Sequence, residues 1–257
     1  MRESPGIAKP MTFVHSEPVN HDSQISPTPQ KSERSTMVVA IDGPAGVGKS
    51  TVSRMCAEAV GFLYVNSGSF YRAITLAVLD AGSTPDNSAV VIAVARACRL
   101  ELRDGHLELD GRNVEDKIRS DAVDAWVAPH SAIPQVRDIV NGRLREIAAK
   151  GDAVVEGRDI GTVVFPHAEI KIFLDADVTT RAARRRDQGT SILPLAEIER
   201  AITERDLVDR NKPAGRLAAA PDALHIDTSL LTIEQVCERV KAAILVSRNN
   251  PGDTRRL

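Results

Sequence analysis

Apolar residues along the chain fall into short, separated runs whose spacing alternates between that of a buried strand and the three-to-four-residue repeat of a helix. From Met37 the run MVVAID is rich in β-branched residues, and a glycine-rich stretch follows it. KSTVSRMCAEAV then places Val52, Met55, Cys56, Ala59 and Val60 at helical spacing. The pattern predicts strand, loop and helix in that order. Three later runs, AVVEG (153–157), IKIFLDA (170–176) and ALHIDT (223–228), read as further strands buried on both faces. Each is expected to lead into a helix, most clearly VTTRAARRRDQ after residue 176 and TIEQVCERVKAAIL after residue 231. Such alternation predicts an α/β fold built on a doubly wound parallel sheet, with ligand at the carboxyl ends of its strands.

Two stretches interrupt the rhythm. In RLELRDGHLELDGRNV (99–114) two alternating runs flank Asp104-Gly105, the signature of a β-hairpin. A polar helical region follows over 115–150, and the two together suggest an inserted subdomain over the sheet edge. Residues 188–216 are arginine-rich and polar, with a helix expected over 194–210, which suggests a mobile cover. Ahead of the first strand, residues 1–36 hold five of the fourteen prolines and almost no clustered apolar residues, so a disordered tail is expected. Glu3, Glu17, Asp22 and Glu33 argue against reading it as a transit peptide, which would be poor in acids.

Charge and composition narrow the function classes. The chain carries 33 Lys plus Arg against 35 Asp plus Glu, a net charge of −2, which argues against a generic nucleic-acid surface. Only eight aromatic residues occur, too few for a base-stacking platform. Cys56, Cys98 and Cys237 lie far apart and the six histidines are scattered, so neither a disulfide framework nor a zinc site is expected. No apolar run is long enough to cross a membrane, and the expectation is a soluble, cytoplasmic protein that handles small molecules.

The sharpest signal is Gly43-Pro44-Ala45-Gly46-Val47-Gly48-Lys49-Ser50-Thr51, which fits G-x-x-x-x-G-K-[ST] between a predicted strand and a predicted helix. Gly43, Gly46 and Gly48 would let backbone N–H groups converge on a phosphate, aided by the positive end of the helix. Lys49 would reach the β and γ oxygens of ATP, and the Ser50 hydroxyl would bind Mg²⁺. Such a loop fixes a nucleoside triphosphate without saying what is done with it. Phosphoryl transfer spreads negative charge over equatorial oxygens, so cationic clamps are the residues to seek. Candidates are Arg72 in NSGSFYRA, Arg158 in EGRDIG, the group at 181–186, Arg205 and Arg210. Arg158 and Asp159 are the most telling, because charges directly after an apolar strand stand at the edge where ligand lies.

Taken together, GPAGVGKST, NSGSFYRA, VVEGRDIGTVVFP, KIFLDA, RAARR, RDLVDRNK and DALHIDTS resemble the cytidylate kinase family, in order over about 37–246. The resemblance implies ATP-dependent phosphorylation of CMP and dCMP by a P-loop domain spanning 37–257, working as a monomer without nucleic-acid or membrane partners. It also implies an acceptor-binding insertion at about 84–150 and a lid at about 187–212. By similarity Lys49, Arg158 and Arg205 would act on the transferring phosphoryl group. Ser67, Tyr71 and Arg72 would hold the acceptor phosphate and nucleoside, with Arg158 gripping the phosphate. Arg137 and Asp159 would read the cytosine, while Arg205 and Asp209 would make lid and sugar contacts. Asn66, Ala128, Leu144 and Lys212 depart from the family pattern, where Asp, Ser, Gln and Arg stand. Those departures keep two other readings open: a kinase with a modified or non-cytosine acceptor, and a non-catalytic nucleotide-binding module.

Overall fold

A computed structural model describes residues 36–187 and 193–249. The tail expected over residues 1–36, all but its last residue, and the 188–192 part of the expected lid lie outside the described residues. The chain runs β1 (Val38–Asp42), α1 (Lys49–Val60), β2 (Leu63–Asn66), α2 (Ser67–Asp80), α3 (Ser88–Ala97) and β3 (Leu100–Arg103). It continues β4 (His106–Leu109), β5 (Arg112–Asn113), α4 (Asp121–Ala132), α5 (Pro134–Ala148) and β6 (Ala153–Gly157). The remainder is β7 (Ile170–Asp175), α6 (Val178–Asp187), α7 (Leu195–Asn211), β8 (Leu224–Asp227) and α8 (Ile233–Asn249).

Five strands form one sheet in the order β2-β6-β1-β7-β8, every pair parallel. Alternation along β1 explains why it lies at the centre. Val38 and Ala40 enter the core under α2, α3 and α5, while Val39 and Ile41 enter the core beneath α1 and α8. β6 divides its residues the same way, Ala153 and Val155 to one side and Val154 to the other. A strand buried on both faces reads as a near-continuous apolar run, and these two do until the carboxylates at their carboxyl ends, Asp42 and Glu156. β8 is the exception to the expectation of full burial. It is an edge strand, and of its four residues only Ile226 is buried.

The β6–β7 connection corrects a second expectation. Where a helix is predicted, the chain makes a five-residue π-helical turn, Ile160–Val164. Both Asp42 carboxylate oxygens accept N–H groups from it, Ile160 at 2.8 Å and Gly161 at 2.8 Å. These are first-turn donors, which a helix leaves without an internal partner, so Asp42 anchors the start of the turn on the end of β1. Because β6 and β7 are both parallel to β1 and flank it, residues 158–169 pass over β1 and return from the carboxyl end of β6 to the amino end of β7.

The insertion carries a second, antiparallel sheet, β3-β4-β5. Asp104 (φ 51°) and Gly105 (φ 78°) both adopt the left-handed region, as a two-residue hairpin of the favoured twist requires. The same dipeptide recurs at Asp110 (φ 50°) and Gly111 (φ 76°) and adds the short strand β5, which the alternation alone did not reveal. Ala182, Ile198 and Ile202 form a small separate core joining α6 to α7.

Candidate functional site

The carboxyl ends of β1, β6 and β7 converge, and the glycine-rich loop rises from the first of them. A Cβ on Gly43 would stand 2.1 Å from the Leu174 carbonyl oxygen on β7, so the loop can begin this close to the sheet only with glycine there. Gly48 (φ 92°) is the residue before α1, and no side chain caps that helix. Its first-turn N–H groups are therefore available to an anion, which the helix dipole also favours. Ser50 and Thr51 lie exposed on that first turn. The Lys49 ammonium is buried and donates to the Pro44 carbonyl at 2.6 Å. Burial, and after it the positive charge of Arg158, holds its pKa well below the ordinary lysine value.

The loop is also held from below by side chains that bond its carbonyls. Arg181 donates to Ala45 O at 3.2 Å, and Thr228 at the end of β8 donates to Val47 O at 3.2 Å. Arg184 in turn donates to Thr228 Oγ1 (3.0 Å) and Thr228 O (2.6 Å). The arginine group at 181–186 thus divides by residue. Arg181 is buried, pairs with Asp206 on α7 at 2.7 Å, and is part of the scaffold.

At the end of β6, consecutive residues face different neighbours. Arg158 pairs with Asp209 at 3.2 Å, and Lys212 reaches the other oxygen of Asp209 at 2.8 Å. Burial alone would raise the Asp209 pKa, but the Lys212 hydrogen bond and the Arg158 charge outweigh it and hold the carboxyl below its usual value. Arg205 is depressed by burial first and by Arg158 second, so Lys49, Arg158 and Arg205 form a crowded cationic cluster beside the loop. Concentrated positive charge of this kind fits a polyanionic ligand.

Asp159 instead turns to Arg137 on α5, 2.5 Å away, with both side chains under a tenth exposed. Arg137 also donates to the Ser131 carbonyl at 3.2 Å and lies 5.5 Å from the Tyr71 ring centroid. A Cβ on Gly215 would meet its guanidinium at 2.0 Å, so the segment after α7 packs directly on this pair. Ser67 faces Gly157, where an added Cβ would sit 2.6 Å from its hydroxyl. Arg72 is held by Asp124 (2.6 Å) and Ile118 O (3.0 Å), on the wall of a cleft of about 290 Å³ that also takes in Asn66, Ser69 and Arg119.

Three of the four departures have a structural account. Asn66 caps α2 by accepting from Ser69 N at 3.2 Å, a role asparagine fills as well as aspartate. Leu144 is fully buried in the core, and Lys212 keeps a cation on Asp209. Nothing in the structure explains Ala128, which is exposed on α4. The sequence reading missed Asp42 and Gly215, and took Arg181 only as one of the candidate clamps at 181–186. Asp42 alone left a signal, a carboxylate ending an otherwise apolar strand directly before the glycine loop. Cys56 and Cys237, which spacing kept apart, meet in the core at 2.9 Å.

Comparison with known proteins gives the same direction. Residues 39–245 match the family described as Cytidylate kinase. The chain is 45% identical over 214 residues to a cytidylate kinase of Mycobacterium avium (strain 104), covering 80% of this chain and 93% of that protein. It is 39% identical over 214 residues to one from Limosilactobacillus reuteri (strain DSM 20016), covering 80% and 94%. A third, from Caldanaerobacter subterraneus subsp. tengcongensis, is 40% identical over 222 residues, covering 85% and 98%. Among solved structures, a shikimate kinase from Bacteroides thetaiotaomicron aligns over 82% of this chain and 99% of its own, at 11% identity and TM-score 0.43.

Proposed function

The chain belongs to the cytidylate kinase family, and from that premise we propose how its own residues carry the reaction. The reaction is ATP-dependent phosphorylation of CMP and dCMP to their diphosphates. The observation that carries the residue assignment is the divergence of Arg158 and Asp159: adjacent at the end of β6, one joins the cationic cluster and the other the buried pair with Arg137.

Residues 43–51 would cradle the triphosphate of ATP, with the loop N–H groups on its oxygens. Lys49 would exchange the Pro44 carbonyl for phosphate oxygens, which costs little because it trades one acceptor for a charged one. Arg158, Arg205 and Lys49 would meet the charge that develops as the phosphoryl group passes between donor and acceptor. Among the described residues no group of three His, Cys, Asp or Glu could hold a metal, which suits Mg²⁺ carried by one protein oxygen and the nucleotide phosphates. Ser50 would be that protein ligand, and the ion would supply neutralising charge at the β and γ oxygens.

Ser67, Tyr71 and Arg72 would hold the acceptor, with Arg72 leaving Asp124 for the phosphate. Cytosine offers an amino donor beside ring acceptors. The Asp159 carboxylate can take the amine while Arg137 donates to the ring, and a uracil carbonyl would meet that carboxylate as a second acceptor. The lid at about 187–212, with Asp209 on the sugar, would close over the donor and exclude water. We place this activity in a cytoplasmic monomer whose partners are small nucleotides. No helix among the described residues is long and apolar enough to cross a membrane.

An ADP-release assay over CMP, dCMP, UMP and AMP tests the reading. CMP and dCMP should lead. Asp159→Asn should lower kcat/KM for CMP by about 10- to 100-fold, the worth of one hydrogen bond to a charged group, while UMP falls much less. Equal activity with UMP and CMP in the wild type would overturn the assignment of Asp159 and Arg137 as readers of the base.

A further inference from the structure

Cys56 and Cys237 are 181 positions apart in sequence, yet their sulfurs lie 2.9 Å from each other. Cys56 sits on α1, two turns past Lys49, and Cys237 on α8, the helix packed beside it. Nonbonded heavy atoms ordinarily rest about 3.5–4.0 Å apart, and a disulfide bond measures about 2.05 Å. The pair is therefore already inside ordinary contact, on helices held together by the shared core of Val52, Val236, Val240 and Ile244. Cys56 is fully buried and Cys237 retains 5% exposure, whereas Cys98 lies in the core on the opposite face of the sheet. None of the three takes part in the phosphoryl-transfer chemistry.

We propose that Cys56 and Cys237 are a peroxide-responsive pair that closes to a reversible disulfide, cross-linking the P-loop helix to α8. The Cys56 thiol donates to the Cys237 sulfur and also approaches the Cys237 carbonyl oxygen at 3.7 Å. Burial first, and the contact with Cys237 second, push the Cys56 thiol up, so Cys56 is the poorer initial nucleophile. Cys237, the acceptor of that bond and the less completely buried residue, attacks first. In the first step the Cys237 sulfur displaces water from hydrogen peroxide: an S–O bond forms, the O–O bond breaks, and Cys237 becomes a sulfenic acid. In the second step Cys56 attacks that sulfur, the S–O bond breaks, and its oxygen leaves as a second water carrying the Cys56 proton. Two thiols and one peroxide give one disulfide and two waters. A dithiol reverses the change by two exchanges, becoming a cyclic disulfide itself.

The test uses the full-length protein, folded, treated with excess hydrogen peroxide and then denatured in an alkylating agent. The expected result is loss of two hydrogens in the intact mass. The tryptic peptides Met55–Arg72 and Leu217–Arg239 should be joined to each other, while Cys98 carries the alkyl label as an internal control. Dithiothreitol should restore labelling at both positions. The thermal midpoint should rise on oxidation and fall back on reduction, because the bond constrains the unfolded chain. The proposal is overturned if both peptides carry label after peroxide, or if Cys237 gains two or three oxygens while Cys56 stays labelled. Cys237→Ser gives the second arm: Cys56 should then remain a thiol under the same treatment, and a Cys56–Cys98 bond appearing instead would also overturn it.

Discussion

Asp42 shows how one side chain can set the geometry of the site at a cost to stability. Burial, partly offset by the N–H groups of Gly161 and Ile160, raises its pKa from 3.8 to about 6. Between those values the folded protein holds a proton that the unfolded chain has released, so this group's contribution to stability falls as pH rises through the window. Above pH 6 the ionised carboxylate costs roughly 3 kcal/mol relative to an unperturbed aspartate. What it secures is the turn after β6: two carboxylate oxygens fix the N–H groups directly following Arg158 and Asp159. Asp42→Asn removes the titration and one of the two bonds. Denaturant unfolding of both proteins from pH 4 to pH 7 should show the wild type losing ground to the variant as pH rises. A difference that stays flat across that range would contradict the assignment.

At the scale of elements, Arg181 links the sheet, the glycine loop and α7. Its guanidinium donates to Ala176 O at 3.0 Å and Ala45 O at 3.2 Å and pairs with Asp206 at 2.7 Å. The other Asp206 oxygen is buried without a partner among the described residues, so within them the ion pair is incompletely compensated. Breaking such a pair from one side leaves a buried charge, and Arg181→Met should cost about 3–5 kcal/mol of unfolding free energy. Arg181→Met with Asp206→Leu removes both charges and should recover most of that loss. A double variant as unstable as the sum of the two singles would mean the contact is not the source of the cost. The sequence shows why such residues escape reading while the strands do not. β1, β6 and β7 are legible because burial on both faces demands near-continuous apolar runs. β2, with one of its four residues buried, lacks such a run, while α2 and α3 announce themselves locally only by their asparagine caps, Asn66 and Asn87. RAARRR looks like a solvated helix face, and that one of its arginines is buried depends on where α7 lies. The Arg137–Asp159 pair, 22 residues apart, was legible only through family resemblance, since no local spacing predicts that α5 delivers its arginine to the end of β6.

For the whole molecule, the near-neutral charge conceals an uneven placement: nine arginines lie between 158 and 216, offset by ten carboxylates in the same span. Several of those carboxylates are the partners of the arginines, so the positive charge is positioned without making the surface basic. The family match starts at residue 39, inside β1, and we propose that the catalytic unit these arginines serve begins close to residue 36. Hydrogen bonds at the start of β1 support that boundary. Met37 N donates to Asp152 at 2.8 Å and Val38 N to Glu169 at 2.8 Å, and the Met37 carbonyl accepts from Ala153 N at 2.9 Å. A chain beginning at Thr36 keeps all three. It should retain full kcat/KM for CMP and a thermal midpoint within about 2 °C of the full-length protein, at most about 1 kcal/mol for a domain of this size. A chain beginning at Val39 loses them from the central strand and leaves Asp152 and Glu169 without these partners, so its midpoint should drop by several times that margin. If removing residues 1–35 alone abolished phosphorylation of CMP, the catalytic unit would have to include the segment ahead of β1, and the residue roles assigned above would describe only part of the site.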